Sequence, residues 1–146
     1  MLESIKGEVE GCIGSCWRVI NLRGWRSYPG ATQGSITWHR DGFWRNIHKI
    51  MVYLTETGDG LGSTELVLED GTIVKVSGPS GTFLLFPPDQ LTHRGIPPER
   101  GPRLMVEFTI APAFETDTTP FFAGYGARTP LNPWEQHVHL PRLSQA

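Results

Sequence analysis

His39 and Asp41 stand one residue apart in the stretch "TWHRDGFW", Thr37 to Trp44. Both side chains are good metal ligands, and they fall where a short apolar run gives way to a turn. Alternate residues of an extended chain project to the same side, so the two can grip one ion. Such a pair is common enough by chance to mean little alone. A further ligand has to come from elsewhere. The segment "LTHRGIPPERGPRLMVEF" offers His93, and Arg103 follows ten residues later.

These four residues need a scaffold that brings distant segments together. Seventeen glycines and twelve prolines break the chain into short apolar runs, and no window of a dozen residues keeps a helical period. The pattern is all-β with little helix. The predicted strands are Trp17–Leu22, Gly34–His39, Ile47–Thr55, Thr64–Glu69, Thr72–Val76, Thr82–Phe86, Leu91–Gly95 and Arg103–Ala111. "EDGT", Glu69 to Thr72, places Asp-Gly between two β-branched runs, a strong hairpin signal, so the strands on either side should pair directly. Phe83 and Leu85 against Leu84 and Phe86 give their strand two apolar faces, which predicts a central position. The 146 residues, 38% hydrophobic, suit a single domain, 1–146, with a strand-built core over about 17–112 and an irregular tail over 113–146.

Two histidines and one carboxylate are the ligand set of the facial triad of non-haem Fe(II) oxygenases, which leaves three adjacent coordination positions open. With Arg103 in its place after His93, the sequence resembles the Fe(II)/2-oxoglutarate-dependent oxygenases, whose motif is His-x-Asp, a distal His, and an Arg about ten residues beyond. The resemblance runs from about Trp17 to Pro112. "WHRD" and "THRG" look most like the phytanoyl-CoA dioxygenase branch, whereas "KIMVYLTE" and "STELVL" are similar to prolyl-hydroxylase-like members.

The resemblance implies a double-stranded β-helix, the cupin-like jelly roll. It implies Fe(II) held by His39, Asp41 and His93, and 2-oxoglutarate chelating the metal. Arg103 would pair with the far carboxylate, a bidentate match for guanidinium. O2 would be the co-substrate, with ascorbate a possible reductant. The reaction implied is hydroxylation of a substrate C–H with release of succinate and CO2. Related halogenases replace the Asp by a small residue, so Asp41 argues against halogenation. Several members carry a Ser two residues after the Arg; here Met105 stands there, which leaves Tyr53, Thr37 or Thr64 to supply a hydroxyl to the cosubstrate. Lys49 is a rival to Arg103, because some branches use a lysine on the strand that bears Tyr53. The family fold sets that strand beside the last one. Pairing Tyr53 with Arg103 then puts Met51 opposite Met105 and Lys49 opposite Glu107, a cross-strand pair of opposite charge.

Other readings are weaker. A non-catalytic cupin-like barrel that binds metal or sugar would have no need of a carboxylate clamp. The net charge of −2 gives no footprint for nucleic acid. No apolar run reaches the roughly 20 residues of a membrane helix, so the expectation is a soluble, cytoplasmic protein acting on a small molecule, with oligomeric state open. "TGDGLGS", Thr57 to Ser63, lacks the Lys-Ser/Thr ending and following helix of a phosphate loop. Cys12 and Cys16 have no second Cys or His pair at zinc spacing and read as reduced structural thiols. His48 should face outward, and Trp38, alternating with His39, should pack the outer core. His137 and His139 share a face but lie in the tail. The polar, aromatic stretch Arg23 to Gln33 is suited to a lid.

Overall fold

The computed structural model describes residues 3–14, 17–32, 35–43 and 46–112. They fall into two compact units, one built from the chain up to Ile20 together with Ile110 onward, the other from Asn21–Thr109. The predicted tail, including His137 and His139, lies outside the described residues, as do Cys16, Gln33, Gly34 and Trp44.

In the first unit a 3-10 turn over Glu3–Ile5 leads into an α-helix, α1, over Lys6–Ile13. It stops at Gly14, whose left-handed φ of 69° lets its amide donate to the Glu10 carbonyl at 2.8 Å. Eight residues are too few to register as a helical period, which is why the sequence did not announce it. Val9 is its buried residue. Cys12 is a free, exposed thiol, so the expected structural role does not hold for it.

Seven strands follow among the described residues: β1 Trp17–Ser27, β2 His48–Tyr53, β3 Ser63–Val67, β4 Ile73–Lys75, β5 Phe83–Phe86, β6 Thr92–Ile96 and β7 Arg103–Pro112. Their order is β1-β7-β2-β5 in one sheet and β4-β3-β6 in the other. From β2 to β7 the chain passes back and forth between the sheets, the antiparallel wrapping of a jelly roll. No helix among the described residues is long and apolar enough to cross a membrane.

Within the second unit both sheets feed one core. Met51, Tyr53, Leu66, Phe86 and Met105 are buried together, with Val76, Leu84 and Leu91 packed against them. Burying each of the larger apolar side chains contributes about 1.5–3 kcal/mol. β2 is buried along nearly its whole length, as a strand flanked on both sides must be. Its Lys49, Met51 and Tyr53 share one face by alternation. The Asp-Gly hairpin forms as expected: Leu68 and Thr72 close it, Gly71 takes a φ of 84°, and β3 pairs with β4.

Three expectations fail. The strand predicted over Gly34–His39 is a turn over the described part, 35–37, with only His39 bridged to His93. Ser35 and Thr37 are exposed, so the segment lacks an apolar face to hold against a sheet. β5 is an edge strand and not a central one: Phe86 is buried, but Phe83 stays 38% exposed. Finally, the Tyr53–Arg103 register would place Leu54 opposite Pro102, yet the Leu54 amide bonds to the Leu104 carbonyl at 2.9 Å. At that end the ladder is therefore offset by two residues. An even offset keeps every side chain on its face, and Lys49 still meets Glu107, at 3.4 Å.

Candidate metal centre and carboxylate pocket

All of the predicted site lies within the unit Asn21–Thr109. His93 is on β6, opposite Leu66 of β3. His39 reaches it through a single backbone bridge, with the His39 amide bonded to the His93 carbonyl at 3.0 Å and the reverse bond at 2.9 Å. Two residues on, the Asp41 amide donates to the Pro88 carbonyl at 2.9 Å. Irregular chain is thereby fastened at two points, and His39 and Asp41 are aimed at β6.

One ligand atom from each of His39, Asp41 and His93 lies within 4.8 Å of the others. The imidazole rings are 4.4 Å apart, tilted by 51°. Asp41 Oδ1 is 3.6 Å from His39 Nε2, and Oδ2 is 3.9 Å from His93 Nε2. Each ring spends its other nitrogen on a backbone carbonyl, His39 Nδ1 at 2.8 Å from Thr37 O and His93 Nδ1 at 2.9 Å from Leu91 O. A carbonyl only accepts, so Nδ1 carries the proton and Nε2 presents a lone pair. Burial holds His93 below the ordinary histidine pKa, against the opposing pull of its bond to Leu91, and this favours the neutral ring that a metal requires. The donor set and its tautomers fit a divalent cation.

Lys49, 7% exposed, reaches this cluster from β2. Its Nζ is 2.6 Å from Asp41 Oδ2 and 3.4 Å from Glu107 Oε2. The Lys49–Glu107 pair was legible in the sequence; the contact with Asp41 was not, because nothing in a strand-alternation pattern places the loop beyond His39.

A cavity of about 400 Å³ opens beside the cluster, with His93, Lys49 and Glu107 on its wall and Arg103 and Thr64 also lining it. That volume is in the range of small-molecule sites. Arg103 is 6% exposed. One guanidinium nitrogen, Nη1, donates to the Ser63 carbonyl and to Ile96 O at 3.1 Å, and Nη2 faces Met105 Sδ at 3.4 Å. Gly62 makes room for this side chain: its φ is 82°, and a Cβ there would stand only 3.0 Å from Arg103 Cδ. Arg103 Nε and the Tyr53 hydroxyl are buried without an aligned hydrogen-bond partner. Thr64 is Tyr53's neighbour, but its own hydroxyl is directed at Met51 Sδ, 3.9 Å away. Burial pushes the Tyr53 phenol up, with Thr64 and the Arg103 charge pulling against it, so it stays a neutral donor. Unanswered donors of this kind beside a buried cation fit a carboxylate.

Two of the predicted cosubstrate residues are not on the cavity wall: Tyr53 is fully buried, and the Thr37 side chain is exposed, that residue serving through its backbone carbonyl on His39. Trp38 is not in the outer core; it is 37% exposed and stacks under the Arg94 guanidinium, 4.4 Å from the ring centre. His48 is half-buried, its ring bonded to the Asn46 carbonyl at 3.3 Å. Trp25, Tyr28 and Ala31, from the stretch expected to form a lid, line the cavity, with Trp25 38% and Tyr28 51% exposed.

No protein-family model and no curated protein matches the chain in sequence. Solved structures do match in fold. A non-haem monooxygenase, ThoJ in its nickel complex, is 17% identical over 75% of this chain and 50% of its own, with a TM-score of 0.61. HygX from Streptomyces hygroscopicus, with nickel and 2-oxoglutarate bound, is 20% identical over 74% of this chain and 63% of its own, with a TM-score of 0.55. A Pseudomonas putida prolyl-4-hydroxylase is 18% identical over 77% of this chain and 63% of its own, with a TM-score of 0.58. The chain thus spans less than two thirds of the length of each. Its strands and their sheet order give it the cupin-like jelly-roll fold that these structures share.

Proposed function

We propose that the protein is an Fe(II)- and 2-oxoglutarate-dependent dioxygenase that hydroxylates a C–H bond of a small molecule. The observation that carries this reading is the convergence of His39, Asp41 and His93 within 4.8 Å, at a cavity that also holds a buried guanidinium. A barrel that only binds metal or sugar gains nothing from placing Arg103 there.

Each residue then has a task. His39 and His93 donate Nε2 to the ion, with Nδ1 fixed by Thr37 and Leu91. Asp41 supplies the anionic ligand. Arg103 takes the distal carboxylate of 2-oxoglutarate through its free Nε edge, and Tyr53 donates its hydroxyl to the same group. Thr64 lines the cavity with Arg103. Lys49 is a poorer anchor for the cosubstrate, since its ammonium already faces two carboxylates. The bound metal supplies the redox chemistry that couples oxidative decarboxylation of 2-oxoglutarate, to succinate and CO2, with insertion of one oxygen atom of O2 into the C–H bond. Burial of Arg103 matters because a charge-assisted pair is strengthened where water is scarce.

The test is succinate formation from 2-oxoglutarate with Fe(II), ascorbate and O2, run with and without a panel of small molecules. Turnover is expected for the wild type and not for Asp41→Ala. Equal turnover in the two would remove the assignment.

A further inference from the structure

Resting on that metal-site reading, we propose that Lys49 is a positioning residue that makes Asp41 a one-oxygen ligand and so keeps the third open metal position free. The two oxygens of a carboxylate are chemically equivalent, and a metal can take one or both. Here the surroundings make them different. Asp41 Oδ2 is 2.6 Å from Lys49 Nζ, whereas Oδ1 faces His39 Nε2 at 3.6 Å. Oδ2 also lies 3.9 Å from His93 Nε2 and has no aligned hydrogen bond, so the ammonium acts on it as a charge. That charge competes with an ion for Oδ2 and leaves Oδ1 as the favoured donor.

Lys49 has little freedom to let go. It stands on β2 between β5 and β7, opposite Phe86. Glu107 Oε2 attracts the same ammonium from 3.4 Å, and the Phe43 ring centre is 5.7 Å away. Glu107 is itself 2% exposed, so water cannot readily replace the lysine as its partner. Asp41, by contrast, comes from irregular chain, its amide bonded to Pro88. The rigid member of the pair therefore orients the less rigid one.

Coordination arithmetic gives the consequence. Two imidazoles and one carboxylate oxygen leave three positions on a six-coordinate ion, enough for a chelating 2-oxo acid and one more ligand. A carboxylate bound through both oxygens would leave two, and the 2-oxo acid would fill them. Lys49 is on this account what separates a ligand set that can accept a second reactant from one that can only hold its cosubstrate.

The experiment uses Co(II), whose visible spectrum reports coordination number, followed by titration with 2-oxoglutarate. Because Lys49→Met alone leaves Glu107 and Asp41 unneutralised, it is paired with the double variant Lys49→Met/Glu107→Gln, and Lys49→Arg serves as the rescue. Co(II) should still bind the double variant, with a changed spectrum and 2-oxoglutarate affinity lowered about 10- to 100-fold, while Lys49→Arg keeps the wild-type spectrum. A double variant with wild-type spectrum and cosubstrate affinity would overturn the proposal. Wild-type protein carrying ¹³C-carboxyl aspartate supplies a reading independent of any variant. The Asp41 carboxylate, assigned against Asp41→Asn, should show the wide stretch splitting of one-oxygen binding on Co(II); a narrow, two-oxygen splitting refutes the role of Lys49. Failure of Co(II) to bind the wild type at all would instead strike the metal site itself.

Discussion

His93 of the candidate metal cluster and Arg103 and Thr64 of the candidate carboxylate pocket line one cavity, but the two groups are built on opposite principles. His39 and Asp41 come from irregular chain fastened by one bridge and one hydrogen bond, and their side chains are 28% and 19% exposed. Arg103, Tyr53 and Thr64 come from β7, β2 and β3 and are 6%, 0% and 1% exposed. A ligand loop that contributes little to the core can be altered at small cost in stability, whereas the pocket is part of the core itself. Chemistry and folding should therefore separate cleanly at one region and remain entangled at the other.

The sharpest break is Asp41→Ala. Succinate formation should fall to background while the melting temperature of the metal-free protein stays near that of the wild type, as read by circular dichroism. Arg103→Ala should weaken 2-oxoglutarate by about 10- to 100-fold, the equivalent of about 1.5–3 kcal/mol for a charge-assisted contact, with Co(II) affinity little changed. It should also lower the melting temperature, because the Ser63 and Ile96 carbonyls lose their donor. Loss of Co(II) binding with cosubstrate binding intact would reverse the roles assigned to Arg103 and Lys49.

Metal alone should stabilise the wild type. Mn(II) at a hundred times its dissociation constant adds about 2.7 kcal/mol, a shift of several degrees by scanning calorimetry that Asp41→Ala should abolish. Tyr53→Phe removes a buried hydroxyl that has no aligned protein partner, so calorimetry should find stability unchanged or slightly raised, while isothermal titration finds 2-oxoglutarate about 2- to 10-fold weaker. The smallest effect concerns acid. Burial keeps His93 below its ordinary pKa, so as pH falls through about 6.5 the unfolded chain takes up that proton before the folded one. Stability of the metal-free protein is thus full above that pH and lost below it, and His93→Gln should flatten the decline of melting temperature between about pH 7 and pH 5.

Much of the site was legible because its chemistry is written in residue types: two imidazoles, a carboxylate and a guanidinium in family order. The Asp-Gly hairpin was legible because one turn type demands that dipeptide. What could not be read was long-range geometry. The segment before His39 looked like a strand because its residues alternate, and it does bond to the β6 edge through Ser35 and His39, but with Ser35 and Thr37 exposed it stays a turn. Beside β7 the chain is two residues out from the expected register at Leu54, while Lys49 meets Glu107 as expected, since alternation fixes parity and not offset. Lys49 was read as a candidate for the cosubstrate, and its engagement with Asp41 depended on where a turn happens to bring a side chain 2.6 Å away.

Trp25 and Tyr28 stand at the cavity on the end of β1 and the turn after it, a stretch of chain separate from those that bear His39, Asp41, His93, Arg103 and Thr64. If the proposed activity holds, what is admitted and what is done to it are entrusted to different parts of the chain. Mutation could redraw the threshold repeatedly while leaving the hearth untouched, and a lineage of such proteins could change its diet without relearning how to burn.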